Sequence, residues 1–386
     1  MQTQKKKIAI IFGTRPDTIK LAPIILDLQK HSRYQAINIA TAQHRQMLDQ
    51  VLDVFRIKPD YDLNIMEPKQ SLATLTKNTI AALDEVLIET KPDMVLVQGD
   101  TTTTFVGSLA AFYRQIPVGH VEAGLRTADK ANPFPEEINR RLTSCIADLH
   151  FAPTSTAKQA LLREHVLLEQ IVVTGNTVID ALAYSIKKTF RFSEQRLNDY
   201  VSEKRRIVLL TMHRRENWGK PMTGACEAVL ALAKRYPDDR FVFPVHLNPI
   251  VRDVVYPILG DLENVILIEP LPYSEFVNLM ARSFLILTDS GGVQEEGPSL
   301  GKPVLVLRTV TERPEAVKYG TVKLVGLDPM KITSTARLLL DNPKAYHRMA
   351  SATNPYGDGH ASERTIQALN RYFGFTKKQP SEFRPR

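Results

Sequence analysis

Short apolar runs recur along this chain with helical spacing between them, and that alternation restricts the fold more than any other feature. They lie at 8–12, 36–40, 94–98, 118–121, 149–152 and 171–174, and again at 207–211, 241–245, 265–268, 284–288, 304–307 and 322–325. Strands covered on both faces read as continuous apolar stretches, and intervening helices let consecutive strands run parallel. The predicted fold class is therefore α/β, with two doubly wound, Rossmann-like domains. At 386 residues the chain exceeds what one hydrophobic core supports, which agrees with the division. The stretch 187–206 is charged and aromatic and lacks a strand-like run, so the interdomain linker falls in or just before it. The reading gives an N-terminal domain at 1–185, a C-terminal domain at 186–365, and a helix and tail at 366–386 placed to pack back on the N-terminal domain. Ile366, Leu369, Tyr372 and Phe373 are spaced for an amphipathic helix, and 377–386 reads as a loose polar tail.

In doubly wound sheets, ligands bind beyond the carboxyl ends of the strands. Two such ends carry turns suited to anions, Gly13 to Lys20 and Asp289 to Glu296, because the first amides of a helix lack intrahelical partners and sit at the positive end of its dipole. Gly291 and Gly292, after Ser290, remove side chains that would keep a phosphate away. Glu296, one turn further on, can accept from sugar hydroxyls. Together the two turns suggest a nucleoside diphosphate held between two lobes. Pro16 suits the first helical turn and leaves Arg15 and Lys20 able to face the ligand; an Arg capping a carbonyl and a solvated Lys are the bland alternative.

Carboxylates follow two further runs. Asp100 fits a helix N-cap as well as it fits catalysis. Glu122 is a poor cap, and at a strand tip it calls for a ligand or a partner such as Arg126. Glu136 follows the proline-stiffened stretch 132–135 and enters a helix, where a dipole partner is an equally ordinary role. After 207–211, His213, Arg214 and Arg215 share one loop and suit a diphosphate. His246 stands just after 241–245.

The formal net charge of +8 favours an anionic ligand without identifying it, and a solvated basic surface explains it equally well. Nucleic acid is not expected, since the basic run of note, Lys5 to Lys7, lacks interleaved aromatics. Cys145 and Cys226 fall in different domains, so neither a disulfide framework nor a thiolate metal site is indicated, and a reducing cytoplasm fits. No run approaches the length of a membrane helix. With no Gly-x-Gly-x-x-Gly after a strand, no Walker A segment and no zinc spacing, no cofactor and no metal are expected.

Taken together, Gly13-Thr14-Arg15-Pro16, Gly99-Asp100-Thr101-Thr102-Thr103, His120-Val121-Glu122-Ala123-Gly124-Leu125-Arg126, Pro135-Glu136-Glu137-Ile138-Asn139-Arg140, His213-Arg214-Arg215-Glu216-Asn217 and the segment from Asp289 to Glu296 closely resemble the motifs of the non-hydrolysing UDP-N-acetylglucosamine 2-epimerases, from Ile8 to about Leu369. The resemblance implies a GT-B architecture, two Rossmann-like domains facing a central cleft. It implies catalytic roles for Asp100, Glu122, Glu136 and His213. Substrate contacts would come from Arg15, Lys20, Asp100, Glu122, His213, Ser290, Gly291, Gly292 and Arg313, with Glu296 on the ribose and Leu271, Pro272 and Phe276 around the uracil. Asp17 replaces the family's Glu, a change expected to matter little.

The implied reaction interconverts UDP-GlcNAc and UDP-ManNAc at sugar C2, by loss of UDP to a bound 2-acetamidoglucal and re-addition. It would supply ManNAc for cell-surface polysaccharide. Family members are usually homodimers, and some bind a second UDP-GlcNAc as activator; the matching positions are Gln43, Gln46, Lys69, Glu136, Arg214 and His246, with Lys69 standing where the family has Arg. A GT-B glycosyltransferase, a hydrolysing epimerase and a non-catalytic nucleotide-sugar sensor would bind the same ligand.

Overall fold

The computed structural model describes residues 5–41, 45–67, 70–127, 129–311 and 313–385. Among these, β1 (Lys6–Phe12), β2 (Tyr34–Ala40), β3 (Tyr61–Asp62), β4 (Met94–Gln98), β5 (Val118–Val121), β6 (Leu149–Ala152) and β7 (Ile171–Val173) form one sheet in the order β3-β2-β1-β4-β5-β6-β7. A second sheet takes β8 (Ile207–Thr211), β9 (Arg240–Pro244), β10 (Val265–Ile268), β11 (Leu285–Thr288), β12 (Val304–Val306) and β13 (Val322–Leu324) in the order β10-β9-β8-β11-β12-β13. All neighbours run parallel. The order reverses between β1 and β4 in one sheet and between β8 and β11 in the other, and such switch points are where doubly wound folds bind ligands.

Helices cover the strands because the strands are apolar on both faces. Ile8 to Phe12 of β1 and Met94 to Val97 of β4 are at most 1% exposed. The edge strand β3 escaped the sequence reading: it is two residues long and pairs only Tyr61 and Asp62 with Ile39 and Ala40, too little to leave a pattern.

The chain divides into two compact units, one comprising Met1–Tyr184 with Tyr356–Pro385 and the other Ser185–Pro355. It re-enters the first unit at Tyr356 rather than at 366, and the Tyr356 carbonyl accepts from Asn176 N–H at 2.6 Å. The helix Ala361–Tyr372 packs on the helix Arg15–Lys30. There Ser362 gives its hydroxyl to Asp27 at 2.6 Å and its amide to Asp180 at 2.8 Å. Arg364 donates to the Thr174 carbonyl at 3.0 Å and to Asp358 at 2.7 and 2.6 Å.

The stretch read as a loose tail, 377–386, is anchored within its described residues, 377–385. Phe383 is 5% exposed and its N–H donates to the Val173 carbonyl at 2.8 Å, while Lys158 pairs with Glu382 at 2.7 Å. The physical reason is that β7 is an edge strand with backbone groups to satisfy. Among the described residues no helix is long and apolar enough to cross a membrane.

Candidate active site

The first unit gathers its carboxylates at the carboxyl ends of β4 and β5. Glu122 follows β5 with a left-handed backbone, φ 64°, uncommon for a residue with a side chain and often found where function fixes geometry. Its Oε1 accepts from Lys20 Nζ at 2.5 Å and from Asn176 Nδ2 at 2.8 Å, and its Oε2 from Gln98 Nε2 at 2.6 Å. The pair is well shielded, Lys20 being 14% and Glu122 6% exposed at the side chain. The suggested partner Arg126 is instead turned to Glu164, at 2.8 and 2.7 Å. Sequence proximity pointed to Arg126, whereas the sheet order brings Lys20, Gln98 and Asn176 to the carboxylate.

Asp100 is not the cap of the helix Thr102–Tyr113: Thr101 is, its hydroxyl accepting from Thr104 N at 3.2 Å. The Asp100 carboxylate pairs with Arg140 at 2.5 Å, and its carbonyl accepts from Asn139 at 3.0 Å. Burial raises the Asp100 pKa; the Arg140 guanidinium pulls it down, and the Glu122 and Glu136 carboxylates push it up again. Glu136 opens the helix Glu136–Ile146 and presents a buried Oε2 without a hydrogen-bond partner. A buried carboxylate oxygen without a donor is costly in a resting protein and is a reason to look for a ligand.

The turn after β1 differs from the reading of the sequence. Asp17 fills it, accepting from Gly13 N at 3.0 Å, Thr14 N at 2.7 Å, the Thr14 hydroxyl at 2.7 Å and Thr18 N at 3.0 Å. Burial pushes this carboxyl up to about 6 against the pull of those bonds. The amides of Gly13, Thr14 and Thr18 thus serve an internal anion, which leaves fewer of the turn's amides for a ligand than the sequence suggests.

In the second unit His213, His246, Leu271, Ser290 and Arg313 stand after the carboxyl ends of β8, β9, β10, β11 and β12 in turn. Asp289, fully buried, organises this end. It accepts from His213 N at 3.0 Å, Arg214 N at 3.0 Å and Asn217 Nδ2 at 2.9 Å, and lies 3.2 Å from His213 Nδ1. Arg214 Nε donates to the Asp289 carbonyl at 2.9 Å. The His213 ring, 44% exposed, stacks on His246 with centroids 6.2 Å apart.

The helix Val293–Ser299 begins at Gly292 without a side-chain cap, and a Cβ on Gly292 would come 4.0 Å from Glu296 Oε2. Arg313 donates to the buried Glu295 at 2.5 Å. Leu271 and Phe276 flank the start of the helix Tyr273–Arg282, where Phe276 N–H donates to the Pro272 carbonyl at 2.9 Å. Gln43 and Lys69 lie outside the described residues, and Gln46 falls in the first turn of the helix Arg45–Phe55. No group of three or more His, Cys, Asp or Glu among the described residues is arranged to hold a metal ion.

His120, whose role the sequence did not disclose, lies fully buried on β5 with Nε2 donating to the Gly99 carbonyl at 2.7 Å, and so supports the turn that carries Asp100. Burial lowers its pKa from 6.5 to about 3, and that of its neighbour His150 to about 4. The unfolded chain takes up these protons once the pH falls below about 6.5 and the folded chain does not, so stability is lost as the pH drops from there towards the folded values. Urea denaturation of wild type and His120→Gln should therefore diverge, the wild type losing roughly 3 kcal/mol more than the variant between pH 6.5 and about 4. Parallel pH profiles would contradict a neutral, buried His120.

The family model described as UDP-N-acetylglucosamine 2-epimerase matches residues 26–370. A UDP-N-acetylglucosamine 2-epimerase of Bacillus subtilis is 54% identical over 380 residues, covering 98% of this chain and 99% of its own length. The crystal structure of a UDP-GlcNAc 2-epimerase from Neisseria meningitidis bound to UDP-GlcNAc superposes with a TM-score of 0.85 at 52% identity, covering 95% of this chain and all of the other. That of Methanocaldococcus jannaschii, in complex with UDP-GlcNAc and UDP, gives 0.77 at 36% identity over 94% of this chain and 99% of the other. The expected α/β class with two doubly wound sheets holds, and it matches solved epimerases of the GT-B class. Near-complete coverage at half identity, on a fold that sets histidine, arginine and carboxylate side chains at the switch points of both sheets, leads to one conclusion: this chain belongs to the UDP-N-acetylglucosamine 2-epimerase family of isomerases.

Proposed function

We propose that the enzyme interconverts UDP-GlcNAc and UDP-ManNAc by elimination and re-addition of UDP. The observation that carries this reading is the cluster of Asp100, Glu122 and Glu136 with Lys20 at the switch point of the first sheet. The hydrogen on sugar C2 is not α to a carbonyl, so its direct removal faces a high barrier. Departure of UDP from C1 with the bonding electron pair develops positive charge there. The C2–H electrons then form the C1–C2 double bond while the proton passes to a carboxylate.

The bound glycal regains a proton on the opposite face of C2, and a UDP oxygen re-forms the bond to C1. Protonation on both faces calls for more than one acid or base group, which the clustered carboxylates supply. On this reading Arg15, Lys20, His213, Ser290, Gly291, Gly292 and Arg313 stabilise the diphosphate, most strongly as charge collects on it, and one such contact is worth about 3 kcal/mol. Glu296 accepts from the ribose, and Leu271 and Phe276 hold the uracil. The ligands of the Neisseria and Methanocaldococcus relatives support the choice of substrate.

The same reading includes a cytoplasmic enzyme that feeds ManNAc to cell-surface polysaccharide, and a second UDP-GlcNAc as activator, for which sigmoidal dependence of rate on substrate is the check. It also includes a homodimer. Phe112 and Tyr113, 59% and 64% exposed, and the exposed Ile138 and Leu142 lie on two packed helices and support an apolar contact, which light scattering would detect.

The deciding experiment is NMR of UDP-GlcNAc with the enzyme in deuterated water. UDP-ManNAc carrying deuterium at C2 is expected, without an acceptor. Release of free ManNAc with UDP would mean hydrolysis, and binding without exchange would mean a sensor.

A further inference from the structure

Asn176 follows β7, outside every segment that carried the family resemblance, and is 2% exposed. Its side-chain amide does two separate things. Oδ1 accepts from Val178 N–H at 3.1 Å at the start of the helix Thr177–Ser185, and Nδ2 donates to Glu122 Oε1 at 2.8 Å. The amide orientation is forced, because an N–H can only donate and an ionised carboxylate can only accept.

The sheet order β5-β6-β7 brings the ends of the two outer strands of this trio to the same edge of the sheet, so residues 54 apart in sequence meet. The Asn176 backbone is itself pinned. Its N–H donates to the Tyr356 carbonyl at 2.6 Å, and a Cβ on Gly357 would come 3.4 Å from its carbonyl oxygen and 3.0 Å from Ile179. A donor held this firmly, aimed at an oxygen that Lys20 also contacts, restricts the carboxylate to one orientation.

We propose that Asn176 is a positioning residue for epimerisation, fixing the Glu122 carboxylate through its Nδ2–H while its Oδ1 serves the following helix. The proposal rests on Glu122 acting in catalysis. Lys20 and Gln98 donate to the same carboxylate, and the charges of Asp100 and the ring of His120 also bear on it. Asn176 therefore contributes one donor of several, and its removal leaves the buried carboxylate in place but less well aimed and less willing to ionise.

Asn176→Asp separates the two roles, since it keeps the acceptor for Val178 N–H and the shape of the side chain but replaces the donor with an oxygen. The expected result is a kcat at neutral pH lower by at least about fiftyfold, with KM for UDP-GlcNAc and the Kd of UDP within about threefold of wild type. The acid limb of the kcat profile should move up by about one pH unit or more, because two facing carboxyls share a proton. Asn176→Ala, checked for folding by circular dichroism and UDP binding, should lower kcat at least about tenfold with KM again little changed. Wild-type kcat and an unshifted acid limb in Asn176→Asp, or wild-type kcat in Asn176→Ala, would overturn the proposal. An active Glu122→Gln would overturn the reading beneath it, which keeps the two failures apart.

Discussion

Glu122→Gln is expected to slow epimerisation at least about a hundredfold while leaving the affinity for UDP unchanged within about twofold. The substitution is nearly isosteric. Gln98 can turn its amide to offer an oxygen, and Lys20 and Asn176 still find the acceptor end of the new side chain, so the pocket need not rearrange. What disappears is the ability to take or give a proton at that point. Exchange of solvent deuterium into sugar C2 should fall in parallel with turnover, whereas calorimetry with UDP, which lacks the sugar on which Glu122 is proposed to act, should register little change while Lys20 keeps an acceptor in the new side chain. Wild-type turnover in this variant would remove Glu122 from the mechanism.

Asp289→Ala should have the other large effect, and on a different property. The carboxylate is fully buried and accepts from two backbone amides and the Asn217 side chain, so its loss leaves buried donors without an acceptor. Each such group costs about 1 to 3 kcal/mol, and the second unit should lose about 3 kcal/mol or more of stability by urea denaturation. The loop carrying His213 and Arg214 would lose its anchor, and UDP affinity should drop at least about tenfold. Asp289→Asn, which retains an acceptor, should lose less on both counts. An unchanged UDP affinity in Asp289→Ala would show that the loop holds its shape without this carboxylate.

Much of the candidate site was legible because its side chains stand at strand ends, and strand ends can be found from apolar runs followed by Gly, Asp or Glu. Asp100, Glu122, His213 and the Ser290 to Gly292 turn all stand at the strand ends where that pattern puts them. The misreadings have two causes. Arg126 was matched to Glu122 because it is four residues away, yet Lys20, 102 residues away, holds that position. The turn after β1 was misread for the opposite reason, because its signal was local: Thr14 and Asp17 form a capping box, and the carboxylate returns to the amides just before the helix.

Asp289 lay in plain view at the end of a strand, but its role depends on β8 lying beside β11, and that adjacency has no sequence signature. The polar composition of 377–386 hid an anchor because the groups it satisfies belong to an edge strand some two hundred residues earlier.

The chain by itself determined the α/β class, the two-sheet organisation, the family and the kinds of side chain available for chemistry, since all of these follow from local runs of apolar residues and short motifs. The tertiary structure decided which carboxylate meets which donor and where the last helix and tail dock. Those outcomes depend on strand order and on burial. Both are set by contacts between residues far apart in sequence, where local pattern carries no information.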